Sequence, residues 1–178
     1  MTERDPWVEL LDEGRIESAG EARSRRRWLE AAAAEGATLA GVFADLAERR
    51  ADVMVGTRGR VMLSGAVTGI GADVVVLDRS TGPLHLIPLR EVTTLRVDGP
   101  LPLGDRPAPD GPHLVDLLAR SGERQEAVVL RLVDLTTVSG VVEVAGRDVL
   151  RVRAEDPTLG TTYVSVMSIG EAAVFRSG

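Results

Sequence analysis

The spacing of hydrophobic residues in the first third of the chain predicts two helices. After Thr38, apolar residues recur at the i, i+3, i+4, i+7, i+8 spacing of one buried helical face: Leu39, Val42, Phe43, Leu46 and Ala47. Thr38 is a suitable N-cap, because its hydroxyl can accept a hydrogen bond from the first turn. Upstream, candidate serine caps, an alanine run at residues 31–34 and Gly36 as a natural stop indicate an earlier helix. Both helices fall within residues 19–50.

From residue 51 the hydrophobic period becomes that of β-strands. Five short runs rich in Val and Leu, separated by Gly, Pro, Asp or Ser, lie within residues 51–98. A flat sheet of this size is too small to bury one face and leaves its edge strands exposed. Curling the sheet into a barrel buries the inner face and removes the exposed edges. Gly65 lies in the middle of the longest run, where a missing side chain permits a sharp bend. We therefore expect a small five-stranded β-barrel.

The chain contains an internal duplication, in which a constant shift places LSGAVTGIGADVVVL over VSGVVEVAGRDVLRV. This alignment superimposes six identical pairs, three of which are glycines or aspartates: Gly65 and Gly140, Gly71 and Gly146, Asp73 and Asp148. After the third strand the second copy is two residues longer, in a hairpin where extra length is tolerated. DLLAR at Asp116–Arg120 is taken as the counterpart of DLAER at Asp45–Arg49. The duplication predicts a second helix-led barrel over residues 114–178.

The repeated G-x-D segment allows two interpretations. Asp73 and Asp148 could form a carboxylate pair for acid–base chemistry or for a metal. The interpretation we favour is structural: Gly71 and Gly146 supply a positive φ, and each aspartate ties its hairpin through its side chain. The six repeated glycine and aspartate positions are therefore predicted to be structural turn residues.

The remaining segments are predicted to be an arm and a linker. Residues 1–18 hold six acidic residues against two arginines, which indicates an acidic N-terminal arm. Residues 99–113 contain five of the nine prolines and three glycines, which continue neither helix nor sheet. This segment is the expected linker between the two barrels.

Composition argues against several kinds of site. The chain has no cysteine, all 21 basic residues are arginine, and there are only two histidines. Thiol and lysine nucleophiles are absent, and a histidine-based zinc site lacks ligands. We expect no enzymatic activity, no cofactor and no metal. No apolar stretch approaches the roughly 20 residues of a membrane-spanning helix, so we expect a cytoplasmic protein without membrane contact.

A helix followed by five bent strands, with glycine in the second strand and G-x-D before the third, resembles the Sm-like small barrel, an SH3-type fold that includes Hfq-like proteins. The first Sm signature is approximated by Leu63, Gly65, Val67, Asp73 and Val76. The resemblance covers both halves, and the tandem form is similar to actinobacterial proteins. It implies that strand four of one barrel pairs with strand five of the next. The expected fold is thus mainly β with N-terminal helices and two tandem five-stranded barrels.

Two departures from the family pattern bear on RNA binding. The asparagine that RNA-binding members usually carry is replaced by Leu77 and by Val152. The basic pair of the second signature is replaced by Pro88-Leu89 in the first half and by a serine–valine pair, residues 165–166, in the second. The RNA-contacting positions that the resemblance implies are therefore lost.

Two functions remain open from the sequence. The first is a non-catalytic binding or scaffold module that acts through paired barrels, with a protein partner or with itself. The alternative is an RNA- or DNA-associated regulator that uses an arginine cluster beside Trp28: Arg23, Arg25, Arg26 and Arg27. The net charge of −6 and two flanking glutamates oppose phosphate binding by this cluster.

Overall fold

The computed structural model describes most of the chain, in the ranges 24–29, 31–32, 34–99, 106–107, 109–156, 158 and 160–176. The chain divides into two compact units, one formed by Met1–Ala37 and Pro102–Asp105, the other by Thr38–Leu101 and Arg106–Gly178. In the first unit, the described residues from 24 to 35 are helical, and we name this helix α1. The predicted acidic arm, residues 1–18, lies outside the described residues.

Helix α2, Leu39–Arg49, opens the second unit as the sequence predicts. Its N-cap is Thr38, whose hydroxyl accepts a hydrogen bond of 3.0 Å from the Gly41 N–H. Phe43 and Leu46 are completely buried. The prediction that Leu39 belongs to the buried face is wrong, because this side chain is 38 % exposed. Helix α2 packs mainly on a single strand, and in its first turn Ala40 and Gly41 are buried whereas Leu39 is not.

Among its described residues, the second unit further contains ten strands and one more α-helix. The first half contains β1 (Asp52–Thr57), β2 (Met62–Ile70), β3 (Val74–Asp78), β4 (Leu84–Pro88) and β5 (Val92–Val97). The second half begins with helix α3 (Leu114–Glu123) and continues with β6 (Ala127–Leu132), β7 (Thr137–Ala145), β8 (Val149–Arg153), β9 (Thr161–Ser165) and β10 (Ile169–Phe175). A short 3-10 turn precedes the last strand of each half, at Leu89–Glu91 and Val166–Ser168.

All ten strands form one antiparallel sheet in the order β5-β1-β2-β3-β4-β10-β6-β7-β8-β9. Each half therefore has the same internal order, with its fifth strand beside its first. The halves are joined by the pairing of β4 with β10, in which Leu86 lies opposite Ala172 and His85 opposite Ala173. We call this junction the seam. Strands β5 and β9 are the two edges of the sheet, and the fold is mainly β with helices.

The two halves carry the same backbone irregularities at equivalent positions of the repeat. A bulge between Val67 and Gly69 in β2 corresponds to one between Val142 and Val144 in β7. The hairpins before these strands both place a non-glycine residue at positive φ, at 57° in the first half and 71° in the second. Helices α2 and α3 also begin at equivalent positions. The alignment of DLAER with DLLAR departs from this common shift and is therefore wrong.

Two hydrophobic cores lie on opposite faces of strands β3 and β4. Leu77 and Ile87 pack with Phe43 and its neighbours in the first core. Val74 and Leu86, from the same strands, pack instead with the residues of α3 and the second half. Burying a side chain of this size stabilises a protein by about 2 kcal/mol. The seam therefore joins the halves by side-chain packing as well as by backbone hydrogen bonds.

Candidate functional site

A buried polar contact between two side chains crosses the seam. Nδ1 of His85 on β4 lies 2.6 Å from Oε1 of Glu171 on β10, and both residues are more than nine-tenths buried. Nη1 of Arg131 lies 3.6 Å from the other carboxylate oxygen of Glu171. Nε2 of His85 is buried and has no hydrogen-bond partner among the described residues. No local pattern in the sequence signals this cluster, because its members come from three strands far apart along the chain.

Arg90 makes a second polar tie across the seam. Its Nη2 donates to the carbonyl oxygens of Val166, at 2.8 Å, and Ile169, at 3.3 Å. These carbonyls belong to the 3-10 turn and last strand of the second half. The neighbouring Glu91 is buried, and the guanidinium Nε atoms of Arg58 and Arg90 each lie 3.7 Å from its carboxylate. The turn before β5 is thus fixed to the second half.

The repeated G-x-D turn of the first half receives the start of helix α3. Oδ1 of Asp73 accepts a hydrogen bond of 2.8 Å from the Leu114 N–H, and the Ala72 N–H donates to the Pro112 carbonyl at 3.2 Å. A side-chain carbon at Gly71 would overlap that same carbonyl. The turn therefore serves as a docking point for the next helix.

This geometry corrects the predicted roles of the turn residues. Gly71 and Gly146 do not have the positive φ that was expected of them. The absence of a side chain at Gly71 matters instead because the linker backbone approaches so closely. Asp73 ties down the following helix rather than its own hairpin. Sequence reasoning missed this because the receiving segment lies 41 positions further along the chain.

The same turn in the second half lacks such contacts among the described residues. Asp148 is exposed, and its carboxylate makes no hydrogen bond with the residues that the structure describes. The backbone geometry is nevertheless repeated: the Leu89 N–H donates to the Asp73 carbonyl at 2.8 Å, and the Val166 N–H to the Asp148 carbonyl at 2.9 Å. The two aspartates have different surroundings, and the structure does not assemble them into a carboxylate pair.

The remaining predicted turn residues lie where strands approach closely. A side-chain carbon at Gly65 would lie 2.8 Å from the carbonyl oxygen of Asp78, and one at Gly140 would overlap the carbonyl of Arg153. These glycines lie in the long strands β2 and β7, at corresponding positions. Each therefore permits a side-chain-free contact between two neighbouring strands of its half.

Strand β9 differs from its counterpart β4 in exposure. Along β4, four of the five residues are buried, whereas in β9 only Val164 is buried. Tyr163, which corresponds to Leu86, is 70 % exposed, while Leu86 is 4 % exposed. The difference arises because β10 covers β4, whereas β9 is an edge strand.

The outward backbone groups of β9 can be identified from its ladder. Residues of an antiparallel strand alternate between bonding one neighbour and the other. The Val166 N–H donates to the Asp148 carbonyl, next to β8. By this alternation, Val164 and Thr162 also bond to β8. The residues between them, Thr161, Tyr163 and Ser165, therefore point their N–H and C=O groups away from β8. The edge thus offers a row of donors and acceptors for another strand.

The arginine cluster lies on α1, in the first unit. Arg25, Arg26 and Arg27 are exposed, and Trp28 beside them is 69 % exposed. Arg23 lies outside the described residues. The structure therefore places three of the four predicted arginines on one exposed stretch of helix.

No group of three or more His, Asp or Glu residues in the described part of the chain could hold a metal ion. A cavity of about 460 Å³ lies between α3 and β7, where Glu143 is held by Arg151 at 3.2 Å and by Arg153 at 3.1 Å. Its lining contains no serine or histidine. Among the described helices, none is long and apolar enough to cross a membrane.

Comparison of the chain with protein-family models gave no match, and comparison with curated proteins gave none either.

Proposed function

We propose that this protein is a non-catalytic binding or scaffold module that recruits protein through the open strand edges of two paired, Sm-like small barrels. The observation that carries the proposal is the contrast between β4, which another strand covers, and β9, which presents the same edge uncovered. A strand edge with unpaired backbone groups is a common docking site for an extended segment of another chain.

The barrel interpretation is supported by strand order and by bending devices. Each half repeats the order five-one-two-three-four, and its long second strand carries a glycine and a bulge. Such features bend a small sheet towards closure. A hydrophobic core lies beneath the helix of each half, and the core beneath α3 also includes Val74 and Leu86 from the first half. The pairing of β4 with β10 follows the strand-four to strand-five arrangement that the family resemblance implies.

The test compares wild-type protein with Tyr163→Pro and Tyr163→Thr. Proline removes an N–H that points to the open edge without removing a hydrogen bond to β8. Threonine keeps that N–H and removes the ring, so it separates the backbone contribution from that of the side chain. Light scattering after size exclusion and capture from the native lysate measure association. We expect Tyr163→Pro to weaken association about tenfold, and Tyr163→Thr to weaken it less.

Two results would overturn the proposal. The first is a wild-type chain that stays at its single-chain mass of 18.9 kDa and retains no protein from the lysate. The second is association that Tyr163→Pro leaves unchanged while circular dichroism shows both proteins folded.

A further inference from the structure

We propose that the hairpin end of the second unit is a docking surface for an acidic, amphipathic segment of a partner protein. The hairpin end is formed by the hairpins at residues 58–61 and 133–136 and by the two 3-10 turns. It is separate from the strand edges and takes a partner of different chemistry, so the inference goes beyond the proposed function. It rests on three exposed apolar residues that lie beside arginines.

The two halves of the repeat place different chemistry at the same positions of the hairpin end. Three apolar residues of the second half correspond to three arginines of the first: Val133 to Arg58, Leu135 to Arg60 and Met167 to Arg90. The apolar side chains are 43 %, 64 % and 64 % exposed in that order. Single apolar residues scattered over a surface are ordinary, whereas a cluster of them marks a site of interaction.

Backbone contacts bring these residues to one surface. The Val133 N–H donates to the Ser168 carbonyl at 2.9 Å, which places the second hairpin against the 3-10 turn that carries Met167. A side-chain carbon at Gly59, in the first hairpin, would lie 3.7 Å from Cδ2 of Leu135. The leucine therefore reaches the tip of the first hairpin, and the apolar residues of one hairpin adjoin the arginines of the other.

Leu135 has a backbone conformation that leucine rarely adopts. Its φ of 71° lies in the left-handed region, which glycine and asparagine tolerate better. Its side chain is largely exposed, so burial within the chain does little to offset this strain. Strained residues of this kind concentrate at sites of function. A partner segment that covers the leucine would supply the burial that the single chain does not.

The charges around the apolar residues favour an acidic partner. The side chains of Arg58 and Arg131 are 70 % and 40 % exposed, and Arg60 is exposed as well. Glu91 and Glu171, the carboxylates nearest to Arg58 and Arg131, are more than nine-tenths buried. The surface therefore presents guanidinium groups to solvent although the whole chain has a net charge of −6. Opposite charge on a partner speeds and orients docking at such a local patch.

One exposed carboxylate, Asp134 of the second hairpin, opposes this attraction. It is turned towards its own backbone, because its Oδ1 accepts a hydrogen bond of 2.9 Å from the Thr136 N–H. Two other anionic partners fit the surface less well. The three apolar side chains include no aromatic ring on which a base could stack, and a chain of net charge −6 is repelled by anionic lipid.

Selection from a library of random peptides on the immobilised full-length protein tests the surface without assuming a partner sequence. We expect the enriched peptides to combine Asp or Glu with Leu, Ile, Phe or Met. The most enriched peptide, labelled with fluorescein, is then the probe for affinity measurements by fluorescence anisotropy. Leu135→Ser is expected to raise its dissociation constant about tenfold, and Arg60→Gln about threefold.

Matched control variants change the same residue types elsewhere. Phe175→Ser removes an exposed apolar side chain at the far end of β10, and Arg96→Gln removes an exposed arginine from β5. Both are expected to leave the dissociation constant of the probe unchanged. Added salt is expected to weaken binding of the probe to the wild-type protein, because the arginines are exposed to solvent.

Leu135→Asn separates a binding role of the leucine from a structural one. Asparagine tolerates the left-handed conformation, so this variant is expected to raise the midpoint of thermal unfolding by about 2 °C. The same variant is expected to weaken binding of the probe about tenfold. A lower midpoint would overturn the inference, because the leucine would then serve the fold of its own hairpin.

Several other results would overturn the inference. They are a selection that enriches no peptide, enriched peptides without acidic residues, and a probe that Leu135→Ser and Phe175→Ser bind equally well. Binding to phosphatidylserine vesicles or to an oligonucleotide that Leu135→Ser abolishes would assign the surface to lipid or nucleic acid. Tyr163→Pro is expected to keep the probe bound. Loss of the probe in that variant would place the peptide at the β9 edge, which supports the proposed function and overturns this inference.

Discussion

Nδ1 of His85 lies 2.6 Å from a carboxylate oxygen of Glu171, and this contact joins residues that are 86 positions apart in the sequence. The two side chains project from the strands that connect the halves. Burial makes this pair costly to break, because a polar group removed from water needs a partner. Two halves with similar strands are thus held in one arrangement by a polar contact as well as by apolar packing.

Glu171→Leu is expected to destabilise the protein by about 3 kcal/mol, because it leaves the buried imidazole of His85 without its partner. Chemical denaturation followed by circular dichroism measures the effect. The double variant His85→Leu with Glu171→Leu is expected to recover part of the loss, since an apolar pair needs no hydrogen bond. Strictly additive losses in the double variant would contradict a direct interaction between the two residues.

Gly71→Ala is expected to destabilise the protein by about 2 kcal/mol, because its Cβ would displace the backbone at Pro112. Gly146→Ala is the matched control from the repeat, where the nearest atom to the new Cβ is the Val149 carbonyl oxygen at 3.3 Å. Its effect on the unfolding free energy is expected to be smaller. Similar losses for the two variants would show that the close approach of the linker does not matter.

Leu114→Ser is expected to cost about 3 kcal/mol, because it removes a fully buried side chain from the second core. Leu39→Ser, at the corresponding position of α2, is expected to cost much less in the single chain, where this leucine is partly exposed. Thermal or urea unfolding at low protein concentration measures both. An equal cost at the two positions would contradict the different surroundings of α2 and α3.

The guanidinium of Arg106 holds the segment before α3 against α2. We expect this contact between Arg106 and the carboxylates of α2 to be sensitive to acid. Arg106 donates to Asp45 at 2.8 Å and also to Glu48. The hydrogen bond and charge of Arg106 lower the pKa of the Glu48 carboxyl from its ordinary value of 4.5. Because this pKa is lower in the folded state, the contact stabilises the protein above pH 4.5 and is lost as pH falls through the folded-state pKa.

Glu48→Gln is therefore expected to make stability less dependent on pH below 4.5, with a small effect because Glu48 is exposed. Urea unfolding at neutral and at acidic pH measures the difference between the variant and the wild-type protein. Asp52→Asn, which alters an exposed carboxyl outside this contact, serves as the control. If the unfolding free energies of wild type and Glu48→Gln change with pH in the same way, the contact between Glu48 and Arg106 contributes nothing in solution.

The arginines on α1 give a separate prediction about nucleic acid. If they bind phosphates, affinity for RNA or DNA falls steeply with salt and falls again when Arg25, Arg26 and Arg27 are changed to Ala. We expect instead a weak affinity that these substitutions hardly change. Fluorescence anisotropy with labelled oligonucleotides over a salt series decides between the two, and a steep salt slope lost in the triple variant would favour a nucleic-acid function.

Local patterns in the sequence predict the elements of this fold well. Thr38 caps α2 as expected, because capping depends on residues three positions apart. The strand runs and the longer hairpin of the second half agree with the observed bounds, since alternation and turn residues act over short distances. The duplication can be recognised in the sequence alone. In the structure, helix starts, β-bulges and residues with positive φ recur at the positions that the alignment of the two halves matches.

The tertiary structure alone decides which of two equivalent residues is buried or hydrogen-bonded. Leu114 is buried and Leu39 exposed, and Asp73 is bound while Asp148 is exposed, although each pair has the same place in the repeat. Periodicity describes one element at a time, whereas burial depends on which element lies beside it. In a linear chain of two similar halves, the seam covers one set of surfaces and leaves its counterparts at the ends of the sheet.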